Sequence, residues 1–202
     1  MSGRGSRTRV AALVLAAGRS SRMGARNKLL EEVGGEPMVV RVVRRVFQTP
    51  VEALVVVTGH DADAVEERIP PPALVVRNPD HAEGIGSSVR VGIGALGTSV
   101  DGVVICLGDM PIVSTDTIRR LVEAFRTDGD GGAYVPIHAG RRGNPVLWTS
   151  EFFPLLLRLR GDSGGRSLLS AHVEAVREVV VDDPGVLADV DTPQALREIE
   201  SD

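Results

Sequence analysis

Short apolar runs alternate with amphipathic segments along most of the chain. Apolar runs typical of strands buried on both faces lie at 10–17, 53–57, 74–76 and 103–107. Segments with apolar residues at helical spacing lie at 37–47, 61–68, 84–96 and 116–126. Strands that alternate with helices in this way predict an α/β fold, a three-layer sandwich around a mostly parallel sheet.

The second half of the chain departs from this simple alternation. Residues 133–137 and 145–148 predict a hairpin across 139–144, because two runs with strand character flank a loop that contains glycine. The remaining predicted elements are helices at 152–160 and 167–176, a strand at 179–181 and a helix at 193–200. We therefore expect a disordered N-terminal tail, 1–9, and a single domain, 10–202, with a small antiparallel insertion at about 133–172.

The composition excludes several classes of protein. Lys+Arg is 23 and Asp+Glu is 27, a net charge of −4, which argues against a dedicated nucleic-acid binder. The one cysteine, Cys106, rules out a disulfide framework and a cysteine zinc cluster, and the four histidines lack metal-ligand spacing. The first apolar run has eight residues, far short of the ~20 that span a bilayer. We expect a cytoplasmic protein with neither a membrane nor a nucleic-acid partner.

A Gly-rich loop follows the first predicted strand. It reads L-A-A-G-R-S-S-R-M-G from Leu15 to Gly24, and Lys28, the only lysine of the chain, follows it. Glycines let backbone N–H groups approach a phosphate, and the basic side chains add positive charge. The loop is not a Walker A motif, because Leu29 stands where that motif has Ser or Thr, and it carries no G-x-G-x-x-G fingerprint. The pattern favours phosphate binding over the alternative, a solvated basic turn.

Two acidic residues lie where an open α/β sheet presents its ligands. Asp109 follows the apolar run 103–107, and Asp191 precedes the last predicted helix. A pair of carboxylates suits Mg²⁺, which completes its shell with phosphate oxygens and water. The alternatives are a turn aspartate that bonds its own backbone before Pro111, and an acidic helix N-terminus.

Three further segments are polar and rich in glycine. Residues 77–88 include Asn78, Gly84 and Ser88, and the Asn and Ser side chains offer donors and acceptors for a base or a ribose. Residues 141–145 and 161–166 lie in the predicted insertion and would form an anion-binding lid. A capped turn is the alternative for the first segment, and mobile surface loops are the alternative for the other two.

The order of these motifs is more specific than any one of them. Between about residues 10 and 196 the chain carries L-A-A-G-R-x-x-R-M-G-x-x-x-K, N-P with a later Gly and Ser-Ser, L-G-D-M-P, G-N-P-V, G-D-x-G-x-R and D-V-D-T-P. Together they resemble the MobA-like nucleotidyltransferases. Within that group the chain is most similar to the molybdenum cofactor cytidylyltransferases and to related accessory proteins of molybdenum hydroxylases.

The resemblance implies a Rossmann-like nucleotidyltransferase sandwich and assigns roles to individual residues. The loop 18–24 would wrap a triphosphate, Asp109 and Asp191 would hold Mg²⁺, and Arg22, Lys28 and Asp109 would be catalytic. The implied nucleotide-binding residues are Leu15, Ala16, Ala17, Gly18, Arg19, Ser20, Arg22, Met23, Gly24, Lys28, Thr58, Asn78, Gly84, Ser88 and Asp109. The implied acceptor-binding residues are Arg142, Asn144, Asp162 and Arg166.

The implied reaction is attack of the terminal phosphate of molybdopterin on the α-phosphorus of CTP, which expels pyrophosphate. Ala17, in L-A-A-G rather than L-A-G-G, favours cytidine over guanine, whereas Asn144 stands where such cytidylyltransferases often carry histidine. One alternative is transfer from GTP or to another phosphorylated acceptor. The other is a non-catalytic accessory protein that delivers cofactor to a molybdenum hydroxylase apoenzyme.

Overall fold

Ten strands and six α-helices occur in the part of the chain that this computed structural model describes, residues 8–18, 27–97, 99–129, 131–162 and 164–190. The strands are β1 (Val10–Ala16), β2 (Glu32–Val33), β3 (Glu36–Pro37), β4 (Ala53–Thr58), β5 (Leu74–Arg77), β6 (Gly102–Leu107), β7 (Ala133–His138), β8 (Arg141–Arg142), β9 (Val146–Thr149) and β10 (Val176–Val180). The helices are α1 (Met38–Phe47), α2 (Ala62–Glu66), α3 (Ile85–Ala95), α4 (Thr115–Asp128), α5 (Phe153–Leu156) and α6 (Arg166–Ala171). Short 3-10 helices lie at Lys28–Leu30, His81–Glu83, Ser150–Phe152, Val173–Ala175 and Pro184–Leu187.

Eight strands form one mixed sheet in the order β10-β7-β9-β6-β1-β4-β5, with β8 paired to β7. The continuous apolar strand β1 lies in its interior, buried along its whole length, with β4 and β6 parallel on its two sides. The predicted hairpin is present, because β7 and β9 pair antiparallel, and β9 is also antiparallel to β6. β2 and β3 form a separate two-stranded antiparallel sheet. The predicted mostly parallel sheet with a small antiparallel part is therefore confirmed.

Helices cover both faces of the sheet. The side chains of β1 alternate between the two faces, so each face contributes to its own apolar core. One core joins β1 to α1 and α4, and the other joins it to α3 and α5. α3 lies so close to β1 that a Cβ at Gly92 would overlap the Leu13 side chain. Trp148 and Phe152, with ring centroids 5.6 Å apart, extend the second core to β9 and the segment that follows it.

Two predicted helices are shorter than the apolar pattern indicates. α5 ends at Leu156 rather than near residue 160, and α6 covers Arg166–Ala171 rather than 167–176. The chain turns at Gly161, whose φ of +62° favours glycine. The predicted strand at 179–181 begins earlier, at Val176, and is β10. It lies at the edge of the sheet, where half-buried and exposed side chains are expected.

Arg9, which the sequence assigns to the disordered N-terminal tail, is hydrogen-bonded to the domain. The Arg9 N–H donates to Asp101 Oδ2 at 2.7 Å, and the Arg9 carbonyl accepts from the Asp101 N–H at 2.8 Å. Arg9 therefore belongs to the folded domain, whereas the predicted tail residues 1–7 and the predicted helix 193–200 lie outside the described residues. Within the described ranges, no helix combines the length and the apolar character that crossing a membrane requires.

Cys106 is buried in β6, as its place in an apolar run predicts, and burial raises the pKa of its thiol to about 12. Because the thiolate is the reactive form, we expect the native protein to resist an aromatic disulfide reagent near pH 8. The same thiol should react fully once the protein is unfolded in guanidinium chloride. Stoichiometric reaction of the native protein, followed by absorbance, would contradict this assignment of Cys106 to the core.

Candidate active site

The ends of β1 and β6 meet at the edge of the sheet where parallel strands present their ligands. The Gly108 N–H donates to the Leu15 carbonyl at 2.9 Å, and a Cβ at Gly108 would stand 2.9 Å from the same oxygen. Glycine at this position therefore permits the close approach of the two chains. The loops that follow β1 and β6 begin side by side.

Lys28 and Asp109, separated by 81 residues in the sequence, form an ion pair at this edge. Lys28 Nζ lies 2.6 Å from Asp109 Oδ2, and the two side chains are 10% and 23% exposed. Asn27 caps the 3-10 helix that begins at Lys28, because its Oδ1 accepts from the Leu29 N–H at 3.1 Å. The structure thus places the only lysine of the chain against a carboxylate at a strand end.

A cavity of about 510 Å³ opens beside this ion pair, and we call it the nucleotide cavity after the role predicted for residues that line it. Many of the residues that the resemblance assigns to the nucleotide line it: Leu15, Ala17, Gly18, Lys28, Gly84, Ser88 and Asp109. The loop residues assigned the same role lie outside the described residues: Arg19, Ser20, Arg22, Met23 and Gly24. The Lys28 ammonium gives this cavity a positive group suited to phosphate.

Two of the predicted nucleotide-binding residues face away from the cavity. Ala16 is fully buried and packs on the α1 side of the sheet, because side chains alternate along β1. Thr58 is also fully buried, and its hydroxyl donates to Glu66 Oε1 at 2.7 Å. Hydrogen bonds from Arg77 and Thr58 hold the pKa of Glu66 below its usual value. Thr58 therefore anchors α2 to the end of β4 rather than lining the nucleotide cavity.

Asn78 was also assigned to the nucleotide, and it supports the cavity from behind without lining it. It is fully buried, and its Nδ2 donates to Ser87 Oγ at 2.9 Å and to Ser88 Oγ at 3.0 Å. Its Oδ1 accepts from the Asp80 N–H at 3.0 Å. The amide is thus engaged within the protein, and Asn78 orients Ser88, which does line the cavity.

His81 lines the nucleotide cavity, although the sequence pattern does not single it out. Its Nδ1 lies 3.3 Å from the Asn78 carbonyl. A Cβ at Gly59 would stand 2.6 Å from the His81 Cβ, so the histidine packs directly over that glycine. The available signal was its place three residues after Asn78 in the same polar segment. His81 adds a ring with hydrogen-bonding nitrogens to the cavity wall.

A second cavity, of about 640 Å³, adjoins the first, and we call it the acceptor cavity after the role predicted for residues that line it. All four residues assigned to the acceptor line it: Arg142, Asn144, Asp162 and Arg166. Much of the remaining wall is apolar: Val89, Ile105, Val135, Val146, Trp148, Leu156 and Leu169. Both cavities share one set of wall residues: Leu15, Ile85, Leu107 and Asp162.

The shared wall depends on a close approach between α3 and the loop before α6. The Gly86 N–H donates to the Gly161 carbonyl at 3.0 Å. A Cβ at Gly84 would overlap Asp162 Oδ1, and the Gly84 φ of +101° is itself unfavourable for other residues. Gly84 therefore allows the Asp162 carboxylate to reach the junction of the two cavities.

Two further contacts hold the acceptor side. Arg142, on β8, donates from Nε to Glu178 Oε1 of β10 at 2.8 Å. The Asn144 N–H donates to the Val186 carbonyl at 2.9 Å, which ties the loop between β8 and β9 to the C-terminal part of the chain. The Arg142 side chain is thus held toward β10, and the backbone that carries the Asn144 side chain is held by the C-terminal part of the chain.

The Asp109 carboxylate is an oxygen ligand of the kind that Mg²⁺ prefers, since this ion binds one or two carboxylates and takes phosphate and water oxygens for the rest. Within the described ranges, no group of three or more His, Cys, Asp or Glu side chains is arranged to hold a metal. The second predicted ligand, Asp191, lies outside those ranges. Its neighbour Val190 is fully buried and donates its N–H to the Asp109 carbonyl at 2.9 Å. Val190, the residue before Asp191, therefore contacts the Asp109 backbone.

Comparison with known proteins gives relatives of two kinds. The purine catabolism protein PucB of Bacillus subtilis is 32% identical over 194 residues, which cover 89% of this chain and 90% of PucB. The bifunctional protein GlmU of Kineococcus radiotolerans is 37% identical over 124 residues, which cover 59% of this chain. That match covers 25% of GlmU, so the chain spans about a quarter of the length of this relative.

Among solved structures, Rv0371c of Mycobacterium tuberculosis superposes with a TM-score of 0.86 at 28% identity, over 98% of this chain and 100% of that one. A complex of the same protein with manganese gives a TM-score of 0.79 at 26% identity, over 96% of this chain and 99% of that one. The family model of the MobA-like NTP transferase domain matches residues 12–176. The predicted nucleotidyltransferase fold is confirmed, and the chain belongs to the MobA-like NTP transferase family.

Proposed function

We propose that this chain is a Mg²⁺-dependent cytidylyltransferase that transfers CMP from CTP to the terminal phosphate of molybdopterin. The observation that carries the proposal is the pair of adjoining cavities with a common wall. One cavity contains the Lys28–Asp109 pair, and the other is lined by Arg142 and Arg166. Substrates bound in these cavities would meet at the shared wall, where a phosphate of one can face the α-phosphorus of the other.

The nucleotide cavity suits a triphosphate joined to a nucleoside. The Lys28 ammonium is a compact positive charge at one part of the wall, and Ser88 and His81 offer hydrogen-bonding groups at another. Ala17 also lines the cavity, so the residue whose identity favours cytidine lies where it can contact the nucleotide. These placements support CTP as the nucleotide donor.

The acceptor cavity combines three kinds of surface that molybdopterin requires. Its apolar wall, which includes the Trp148 ring, suits the flat pterin. The Asp162 carboxylate can accept from the amino and ring N–H groups of the pterin, and the guanidinium groups of Arg142 and Arg166 can bind its phosphate. A cavity for an ordinary phosphorylated sugar would need more hydrogen-bonding groups and less apolar surface.

The proposed reaction forms one P–O bond and breaks another. An oxygen of the molybdopterin phosphate bonds to the α-phosphorus of CTP, while the bond between that phosphorus and the bridging oxygen breaks. Pyrophosphate leaves with the electron pair, and molybdopterin cytosine dinucleotide remains. The attacking phosphate monoester, with a second pKa of about 6, is ionised at neutral pH and needs no general base.

The chain contributes position and charge to this step. Lys28 would bind the triphosphate and neutralise its developing charge, and the arginines of the acceptor cavity would hold the attacking phosphate in line. Asp109 and Asp191 would hold Mg²⁺, which lowers the charge on the phosphate oxygens when it is bound. A molybdenum hydroxylase apoenzyme would receive the product.

Pyrophosphate release tests the proposal. Purified protein, Mg²⁺ and molybdenum-loaded molybdopterin are incubated with CTP, GTP, ATP or UTP in parallel, with acceptor-free reactions as controls. We expect acceptor-dependent release with CTP. Release with GTP instead would support a nucleotidyltransferase that uses GTP rather than CTP. If calorimetry shows nucleotide binding but no reaction releases pyrophosphate, the catalytic proposal fails and the alternative of cofactor delivery gains support.

A further inference from the structure

Asp183 is a buried carboxylate that lines neither the nucleotide cavity nor the acceptor cavity. Its Oδ2 accepts from the Ser114 N–H at 2.8 Å and from the Thr117 hydroxyl at 2.6 Å, and its Oδ1 accepts from the Gly185 N–H at 3.0 Å. Ser114 is the N-cap of α4, so the carboxylate lies at the positive end of a long helix. Burial alone would raise the pKa of Asp183, but these hydrogen bonds hold it below its usual value.

The segment 181–190, which contains this carboxylate, contacts both halves of the proposed active site. On the acceptor side, the Val186 carbonyl accepts from the Asn144 N–H at 2.9 Å. On the nucleotide side, the Val190 N–H donates to the Asp109 carbonyl at 2.9 Å. One short segment therefore restrains the backbone of a proposed metal ligand and the backbone of a proposed acceptor-binding residue.

Asp183 supplies side-chain hydrogen bonds in the middle of this segment, in addition to its backbone hydrogen bonds. The Val181 N–H donates to the Ile137 carbonyl at 2.9 Å and fixes the start of the segment, whereas Val186 and Val190 are buried apolar side chains. Apolar burial is not directional, so it tolerates small displacements along a surface. Three hydrogen bonds to one carboxylate do not, because each donor has to point at an oxygen.

We propose that Asp183 is a positioning residue that couples the two halves of the site. By fixing the segment 181–190 against α4, it holds the Asp109 loop and the Asn144 loop in one relative arrangement. The inference rests on the proposed function for the identity of the metal and the acceptor. The arrangement itself can be measured without turnover.

Asp183→Asn is the sharpest test, because it keeps the shape and replaces one acceptor oxygen with an NH₂ group. Whichever oxygen is replaced, the new donor faces a backbone N–H, either that of Ser114 or that of Gly185. We expect hydrogen exchange of the Asn144 and Val190 amides to accelerate together, about tenfold beyond any change at the amides of β1. We also expect half-saturating Mg²⁺ for pyrophosphate release to rise, by up to about tenfold, because the segment that Asp183 fixes contacts the Asp109 backbone through Val190.

Asp116→Asn is the matched control. Asp116 is in the first turn of the same helix, with a 65% exposed side chain that pairs with Arg120. It should alter neither the exchange nor the Mg²⁺ dependence. If Asp183→Asn does not fold, Thr117→Val removes one of the three donors and should accelerate the same two amides by a smaller factor.

Two results would overturn the inference. One is exchange of the Asn144 and Val190 amides that follows the β1 amides in the variant, which would give Asp183 a merely structural role. The other is acceleration of one amide without the other, which would remove the coupling. Wild-type protein that releases no pyrophosphate refutes the proposed function instead, and the exchange result then stands on its own.

Discussion

Asp109→Ala is expected to lower the rate of nucleotidyl transfer about a thousandfold, the upper range for loss of one group that stabilises developing charge. The carboxylate follows a buried central strand, is 23% exposed and lines the nucleotide cavity. Under the proposed function it would hold Mg²⁺ against the triphosphate. Pyrophosphate release measured at several Mg²⁺ concentrations gives the effect, and added Mg²⁺ should not restore the rate.

The fold should survive this substitution, because the Asp109 carbonyl rather than its side chain accepts from Val190. The thermal unfolding midpoint of Asp109→Ala should nevertheless fall somewhat, because the 10% exposed Lys28 side chain loses its ion pair with Asp109. Asp116→Ala removes an exposed carboxylate from α4 and should leave both the rate and the midpoint unchanged. An Asp109→Ala protein with most of its activity would show that the metal is held elsewhere.

Much of the fold could be predicted because its central strand has only one stable environment. A run such as 10–17, with no polar residue, has to be buried on both faces, which requires helices on each side of the sheet. The errors lie near residues 157–180, where apolar spacing fits a helix and an edge strand equally well. There the turn at Gly161 and pairing with β7 decide the outcome, and both depend on distant parts of the chain.

The site could be predicted only in part, because a polar residue at a strand end has two possible uses. Asp109 and Ser88 face a cavity, whereas Thr58 and Asn78 satisfy groups inside the protein. Which use applies depends on the direction of the side chain, which composition and spacing do not record. Ala16 is the exception, since alternation along β1 already places it opposite Leu15 and Ala17.

Substitutions at Lys28 should separate its charge from its shape. Lys28→Met removes the charge and should lower the rate of pyrophosphate release about a hundredfold or more. Lys28→Arg keeps the charge and should still lose at least about tenfold, because a planar guanidinium does not fit a site 10% exposed and shaped for a compact ammonium. A near-normal rate for Lys28→Arg would show that any cation suffices there.

Lys28→Met should also strengthen metal binding by the free protein, in contrast to its effect on the rate. Without a nucleotide, the Lys28 ammonium is 2.6 Å from the Asp109 carboxylate and competes with a divalent cation for it. A triphosphate would draw Lys28 away, so in the wild type Mn²⁺ should bind much more tightly with CTP than alone. In Lys28→Met the affinity for Mn²⁺ alone should rise, as measured by electron paramagnetic resonance, with Asp109→Ala as the control that binds weakly throughout. Equal affinities of wild type and Lys28→Met for Mn²⁺ would mean that the Lys28 ammonium does not compete with the metal for the Asp109 carboxylate. Lys28 would then act on the phosphates alone.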